Sequence, residues 1–170
     1  MVGRSLRVAV VGCGPAGLYA TEHLLEQRRV AVEIDLYERL RTPWGLVRSG
    51  VAPDHPEKRL VIDRHFVFLL RDPRVRYLGN VAVGTHVSHA ELTSWYDVVL
   101  YASGATGDAR LDLPGEDLPG CWSAREFVGY YNGHCDRRRP DGLATARVHS
   151  PSPTARTSFM SSLLPPCSRR

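Results

Sequence analysis

Val8-Ala9-Val10-Val11-Gly12-Cys13-Gly14-Pro15-Ala16-Gly17 is the stretch on which the fold turns. Its four leading apolar residues, closed off by glycine, read as a strand buried on both faces. The glycines at 12, 14 and 17 follow the spacing G-x-G-x-x-G, and a helix is expected from about Ala16 to Glu26, with Leu18, Leu24 and Leu25 turned to a sheet. Val32 to Glu38 alternates with a period near two and reads as the next strand. Strand, helix and strand make a βαβ unit, which implies a parallel sheet and a right-handed crossover.

The chemistry of the loop follows from what each glycine permits. Gly12 allows the tight turn, Gly14 lets the backbone approach a pyrophosphate, and Gly17 allows close helix–strand packing. The N–H groups at the start of the helix and the positive end of its dipole suit phosphate. Glu38 stands 21 residues after Gly17, placed to accept hydrogen bonds from a ribose 2′-OH. A carboxylate there disfavours a 2′-phosphate, so the site suits FAD or NAD and not NADP. The plainer reading is a glycine-punctuated turn and a solvated acid at a strand end. Strand, helix and acid all in register favour the dinucleotide.

Further along, Arg41 to Pro56 carries three prolines and two glycines and reads as a long irregular loop, a kind of segment that is usually functional. A helix is expected from about Glu57 to Leu70, then short strands at Val75–Leu78 and Val81–Val83 around a Gly79-Asn80 turn. Tyr96 to Ala102 reads as a buried strand ending in Ser103-Gly104-Ala105, and Ala124 to Tyr131 as a short helix. From Pro140 onward five prolines, six serines and three threonines offer no period and too little apolar surface to offset ordering entropy, so disorder is expected.

Composition excludes several function classes. The chain has 170 residues, 43% of them apolar, enough for one packed core but not for two complete nucleotide-binding domains. Its net charge of +4 invites a nucleic-acid reading. Residues 1–136, however, hold 15 Lys/Arg against 17 Asp/Glu, whereas 137–170 hold seven arginines against one aspartate, so the basic excess belongs to the tail. No nucleic-acid partner is expected. Cys13, Cys121, Cys135 and Cys167 match neither a C-x-x-C redox pair nor a zinc framework, and read as reduced cytoplasmic thiols with no metal site. The apolar run before Cys13 is too short for a signal segment, and no stretch is long enough to span a membrane.

The loop after Glu38 makes the reading specific. Pro43-Trp44-Gly45-Leu46-Val47-Arg48-Ser49-Gly50-Val51-Ala52-Pro53-Asp54-His55-Pro56 resembles the P-x-G-L-V-R-x-G-V-A-P-D-H-P segment of adrenodoxin-reductase-type ferredoxin–NADP(+) reductases. Gly79 to Gly84, Leu113 to Gly120 and Ala124 to His134 continue the resemblance, which covers about residues 5–136. It implies an α/β fold, a Rossmann-like FAD-binding domain over residues 1–136 with a central parallel sheet, followed by a disordered, non-family tail over 137–170. The cofactor implied is FAD, with NADPH as co-substrate and ferredoxin as electron partner. Ala16, Glu38, Leu46 and Val83 match family flavin contacts, and Ser103-Gly104-Ala105 matches a second, A-T-G-like flavin motif in which Ser103 departs from the commoner residue. Gly45-Leu46 supplies a turn able to bring N–H groups near the flavin ring.

His55 corresponds to a family active-site histidine proposed to act near the nicotinamide; by spacing alone it reads as a structural loop residue. Arg48 balances charge near a reduced flavin or is simply solvated. Lys58, Arg59, Arg64, Arg71, Arg74 and Arg76 either face an acidic iron–sulfur protein or form a solvated surface. The family's second, NADPH-binding domain begins soon after the Tyr-Asn-Gly-His region, and its flavin domain closes with chain from the C-terminus. Nothing after Asp136 offers a second G-x-G-x-x-G. The fold is therefore expected to be incomplete relative to the family, with the tail an aberrant ending of a truncated gene. The function expected is NADPH–ferredoxin electron transfer through FAD in impaired form; the alternatives are a non-catalytic FAD-binding fragment and an unstable product.

Overall fold

The computed structural model describes residues 4–51, 56–105, 107–137 and 147–149. The chain runs β1 (Leu6–Val11), α1 (Pro15–Glu26), β2 (Val32–Glu38), α2 (Leu46–Ser49), α3 (Pro56–Leu69), β3 (Val75–Gly79), α4 (His89–Trp95), β4 (Val98–Tyr101), β5 (Cys121–Ser123), α5 (Ala124–Tyr131) and β6 (Arg147–His149). Four strands form one sheet in the order β3-β2-β1-β4, and every pairing is parallel. This is the Rossmann-like sheet expected. After β3 the chain crosses back past β1 to lay down β4, so the strand order reverses between β1 and β4. Ligands of open parallel sheets bind at the carboxyl ends of the strands at such a point.

Alternation along the strands explains why the sheet needs cover on both faces. Val8, Val10, Ile34, Leu36 and Val75 turn one way and pack with Leu18 of α1 and with Phe66 and Leu69 of α3. Ala9, Val11 and Tyr37 turn the other way, against Leu92 of α4. Phe66, Leu18, Ile34 and Leu36 are almost wholly excluded from solvent. Burial of each such side chain stabilises the fold by about 2 kcal/mol. Pro15 opens α1 at the first helical position, where its missing N–H leaves no carbonyl unserved.

Several elements differ from expectation. Val81–Val83 is not a strand: Asn80 has φ of +61°, the Val81 N–H returns to Glu38 O, and Val83 keeps only an isolated bridge to Val87. The left-handed residue turns the chain out of the sheet. Tyr96–Ala102 is shorter and less buried than its apolar run implies, because β4 pairs only with β1 among the described residues and leaves Val98 and Tyr101 half exposed. The irregular loop contains the single-turn α2. Helix α4 is an addition, started by Ser88, whose hydroxyl accepts from Glu91 N while the Glu91 carboxylate accepts from Ser88 N.

Beyond the main sheet, β5, α5 and β6 make a second small parallel unit, with Trp122 opposite Val148. Neither three-residue strand was expected. Strand β6 falls within the tail, of which the rest from 138 onward lies outside the described residues. A three-residue strand is too short to show a period in sequence.

Candidate functional site

The carboxyl ends of β1, β2 and β4 converge on the glycine loop. Gly12 has φ of +106°, and a methyl group on it would lie 2.4 Å from Ala102 O and 2.9 Å from Ser103 Cα. Only glycine lets β1 leave the sheet so close to the end of β4. Its N–H donates to Tyr37 O at 2.8 Å, tying the turn to β2 as well. Gly17 is equally constrained, since an added Cβ would stand 2.0 Å from Gly12 O and 3.3 Å from Val10 Cγ1. Helix α1 can sit against β1 only without that atom.

Gly14 is different. It begins α1 from an extended conformation with no side chain capping the helix, and nothing lies within 4 Å of the place its Cβ would occupy. The first-turn N–H groups of a helix have no intrahelical partners. Here no side chain caps them, the place of a Gly14 Cβ is open, and Ala16 is exposed next to it. That cradle fits the pyrophosphate of a dinucleotide. Glu38 stands at its rim. One carboxylate oxygen accepts from the Cys13 N–H at 2.9 Å and the other from the Leu40 N–H at 2.9 Å. Each oxygen keeps a further acceptor site, so the group is fixed yet able to take a hydroxyl proton donor.

The loop after β2 folds over this cradle. Trp44 is buried, stacks on Phe66 at 5.9 Å, and sends its N–H to Cys13 O at 2.9 Å. It does so from φ of +89°, a conformation rare for a bulky residue and sustained only where packing fixes it. Gly45, at φ of +49°, then lies against the glycine loop: a Cβ there would be 3.0 Å from Gly14 Cα. Leu46 follows with its side chain exposed, while Val47 is buried. An exposed leucine held beside a polar cradle suits a flat apolar ring.

The remaining expected residues divide. Gly104 lies on the exposed turn just past β4, at φ of +70°, with open space around it, and its neighbour Ser103 is in the near contact with Gly12 noted above. Val83 is half-buried against the cluster of Ala9, Val11, Tyr37 and Leu92, two residues past the Val81–Glu38 hydrogen bond. These residues are thus gathered at one end of the sheet. Arg48 is tethered to Pro43 O at 3.3 Å. His55 lies outside the described residues. Of the basic stretch, Arg74 pairs with Asp72 at 2.7 Å and Arg76 with Asp35 at 2.5 Å, while the side chains of Lys58 and Arg59 lie outside the described residues. Trp44 carried no signal in sequence beyond its place in the loop.

Two groups near the sheet have shifted ionisation. Burial, and then the Glu38 charge, push the Cys13 thiol up to about 12, so it stays protonated. Burial also pushes the Asp35 carboxyl up, but the Arg76 guanidinium and the Tyr96 hydroxyl outweigh it and hold it below the usual carboxylate range. Asp35 is 4% exposed and fully partnered, with Tyr96 donating at 2.5 Å and Tyr37 in contact with Tyr96 at 2.9 Å. The described cysteines, Cys13, Cys121 and Cys135, are free thiols. No helix among the described residues is long and apolar enough to cross a membrane.

Comparison with known proteins places this geometry. A family model described as FAD-NAD(P)-binding matches residues 9–99, from β1 through β4. The NADPH-ferredoxin reductase FprA of Mycobacterium leprae is 49% identical over 140 residues, 79% of this chain and 30% of that protein. The mitochondrial NADPH:adrenodoxin oxidoreductase of Bos taurus is 48% identical over 132 residues, 78% of this chain and 26% of that protein. The solved structure of Mycobacterium tuberculosis FprA in complex with NADPH superposes with a TM-score of 0.72 at 48% identity, covering 77% of this chain and 30% of that one. The chain thus spans about 30% of the length of the relatives it matches. With its glycine loop, acidic rim and parallel sheet in these positions, the chain belongs to the FAD-NAD(P)-binding family and is similar to the NADPH-ferredoxin and NADPH:adrenodoxin reductases within it.

Proposed function

We propose that this chain holds FAD and supplies the flavin site of an NADPH-to-ferredoxin reductase. The observation that carries the reading is the uncapped start of α1 at Gly14, open to solvent and framed by Gly12, Glu38 and Gly45. Gly12, Gly14, Ala16 and Gly17 cradle the pyrophosphate. Glu38 accepts from the ribose. Gly45 and Leu46 lie along the ring system, with Val83 and Gly104 completing its surroundings. Bound FAD supplies the step from a two-electron hydride donor to a one-electron iron–sulfur acceptor.

His55 is the proposed catalytic residue, acting on a proton near the nicotinamide of NADPH, by its place in the Pro43–Pro56 segment. The division at residue 136 into a FAD-binding domain and a non-family tail is part of the same reading, as are ferredoxin as partner and a cytoplasmic location, which the free thiols support. NADPH docking and turnover are activities of proteins about three times as long. The second reading is that this chain holds FAD without reducing it from NADPH.

The test is the visible spectrum of the purified chain, recorded without air before and after NADPH and then dithionite. Bleaching by NADPH establishes the reductase reading for this chain. A flavin spectrum that only dithionite bleaches establishes the FAD-holding reading, and failure to take up FAD at all removes both.

A further inference from the structure

We propose that Asn132 is a positioning residue for the cofactor loop, holding the far end of α2 and through it the place of Gly45 and Leu46 against the glycine loop. The proposal rests on the FAD reading above.

A helix of one turn does not persist by itself. Helix α2 is held at its start, where Gly45 lies on Gly14 and Trp44 donates to Cys13 O. Its end is a different problem, because the last carbonyls of a helix have no intrahelical donors. Asn132 Nδ2 donates to Ser49 O and to Val51 O, each at 3.0 Å, across more than 80 residues of sequence. Both neighbours are carbonyl acceptors, so the nitrogen of the amide must face them. One –NH2 carries two hydrogens, one for each. Aspartate would set a carboxylate against two carbonyl oxygens, serine would offer one donor, and glutamine is a methylene too long.

Asn132 is itself well anchored. Its backbone N–H closes α5 onto Val128 O at 2.9 Å, and Gly133, at φ of +70°, turns the chain after it. A few residues on, Asp136 pairs with Arg39 at 2.6 Å, just past β2. The segment from 132 to 136 therefore grips the site at two places, behind Glu38 and behind α2. The Arg39 contact ties this segment to the sheet; the Asn132 contact ties it to the loop that carries Leu46.

The full chain, stripped of flavin, is titrated with FAD from about pH 4 to 8, following quenching of flavin fluorescence, as unsubstituted protein and as Asn132→Ala and Asn132→Asp. Near neutral pH both variants are expected to bind FAD about tenfold more weakly or worse, while the apoprotein melts within a few degrees of the parent. As the pH falls, Asn132→Asp regains affinity, because its protonated carboxyl again donates to a carbonyl, and Asn132→Ala does not. Affinities within twofold of the parent in both variants overturn the proposal. So does weakening that tracks a matching fall in melting temperature with no recovery in Asn132→Asp, which assigns Asn132 to the fold alone. A parent chain that binds no FAD overturns the cofactor reading as well.

Discussion

The two ends of the main sheet treat polar groups in opposite ways. From the middle of β2 back toward the amino ends of the strands, charge is closed off: Asp35 is buried, with Arg76 bidentate on it at 2.6 and 2.5 Å and Tyr96 donating to the same carboxylate. Asp97, just before β4, takes the Arg7 N–H and the Arg4 guanidinium. At the carboxyl ends, the start of α1 has no cap and Gly14 faces open space. A satisfied polar network adds stability and leaves nothing for a ligand. An unsatisfied helix start is the reverse, a local cost that a bound anion offsets.

The largest expected effects come from making the same change at two glycines three residues apart. Gly17→Ala drives a methyl into Gly12 O, a backbone atom that cannot yield without moving β1 or α1. A cost of about 3 kcal/mol or more is expected, lowering the melting temperature by about 10 °C or more. Gly14→Ala adds the same methyl where nothing stands, at an ordinary extended backbone, so apoprotein stability should hold within about 1 kcal/mol. Its FAD affinity should nevertheless fall about tenfold or more, because the methyl occupies the approach of the pyrophosphate. Melting curves and flavin titrations on both variants separate the roles. Equal loss of stability in the two would dissolve the distinction between a glycine kept for packing and one kept for space.

At the other end of the sheet the expected effect is smaller. Asp35→Asn removes the charge that Arg76 pairs with, but the Arg76 side chain is 68% exposed and recovers water. The cost should be about 1–2 kcal/mol, with no direct change in FAD affinity. The pH dependence carries the sign. The folded Asp35 carboxyl lies below its ordinary value, so on acidification the unfolded chain takes up this proton first. Its contribution is complete above about pH 4 and is lost as the pH falls through the folded value. Stability of the unsubstituted chain should thus fall in acid more steeply than that of Asp35→Asn, as denaturant melts across that range would record. Parallel curves would mean that the pair stores no such stability.

The contrast between the ends also explains what could be read before the structure. Glycines 12 and 17 were legible because their roles are local and spaced along one strand–turn–helix, and Glu38 because it closes the next strand at the expected distance. The patterns of β1 and β2 are strong because these strands are buried along most of their length. Strand β4 was misread as buried because an apolar run looks the same on a sheet's edge as at its centre, and only pairing decides. Val81–Val83 failed for a related reason: three apolar residues cannot announce that Asn80 has turned them aside. The role proposed for Asn132 was out of reach, since its partners are two backbone carbonyls more than 80 residues away and a backbone carbonyl has no sequence signature. Ser88 and Glu91 do carry a sequence signal, the capping box that opens α4.

The smallest perturbation reports on the loop without altering it. Cys13 lies inside the glycine loop, wholly buried, with its thiol pushed up to about 12 by burial and by Glu38. Cys135 is exposed. Alkylation needs the thiolate, whose share at neutral pH falls tenfold for each unit of rise, so the rise alone should slow Cys13 on the order of a thousandfold. Mass mapping after a timed pulse of iodoacetamide should therefore find Cys135 labelled early and Cys13 labelled only as the chain opens. In Gly17→Ala the Cys13 rate should rise with the loss of packing, while in Gly14→Ala it should not, because that methyl leaves the loop standing. Equal labelling of Cys13 and Cys135 in the parent chain would mean that the loop opens freely, and that its order comes from bound FAD instead of from Trp44, Glu38 and the close fit of Gly12 and Gly17.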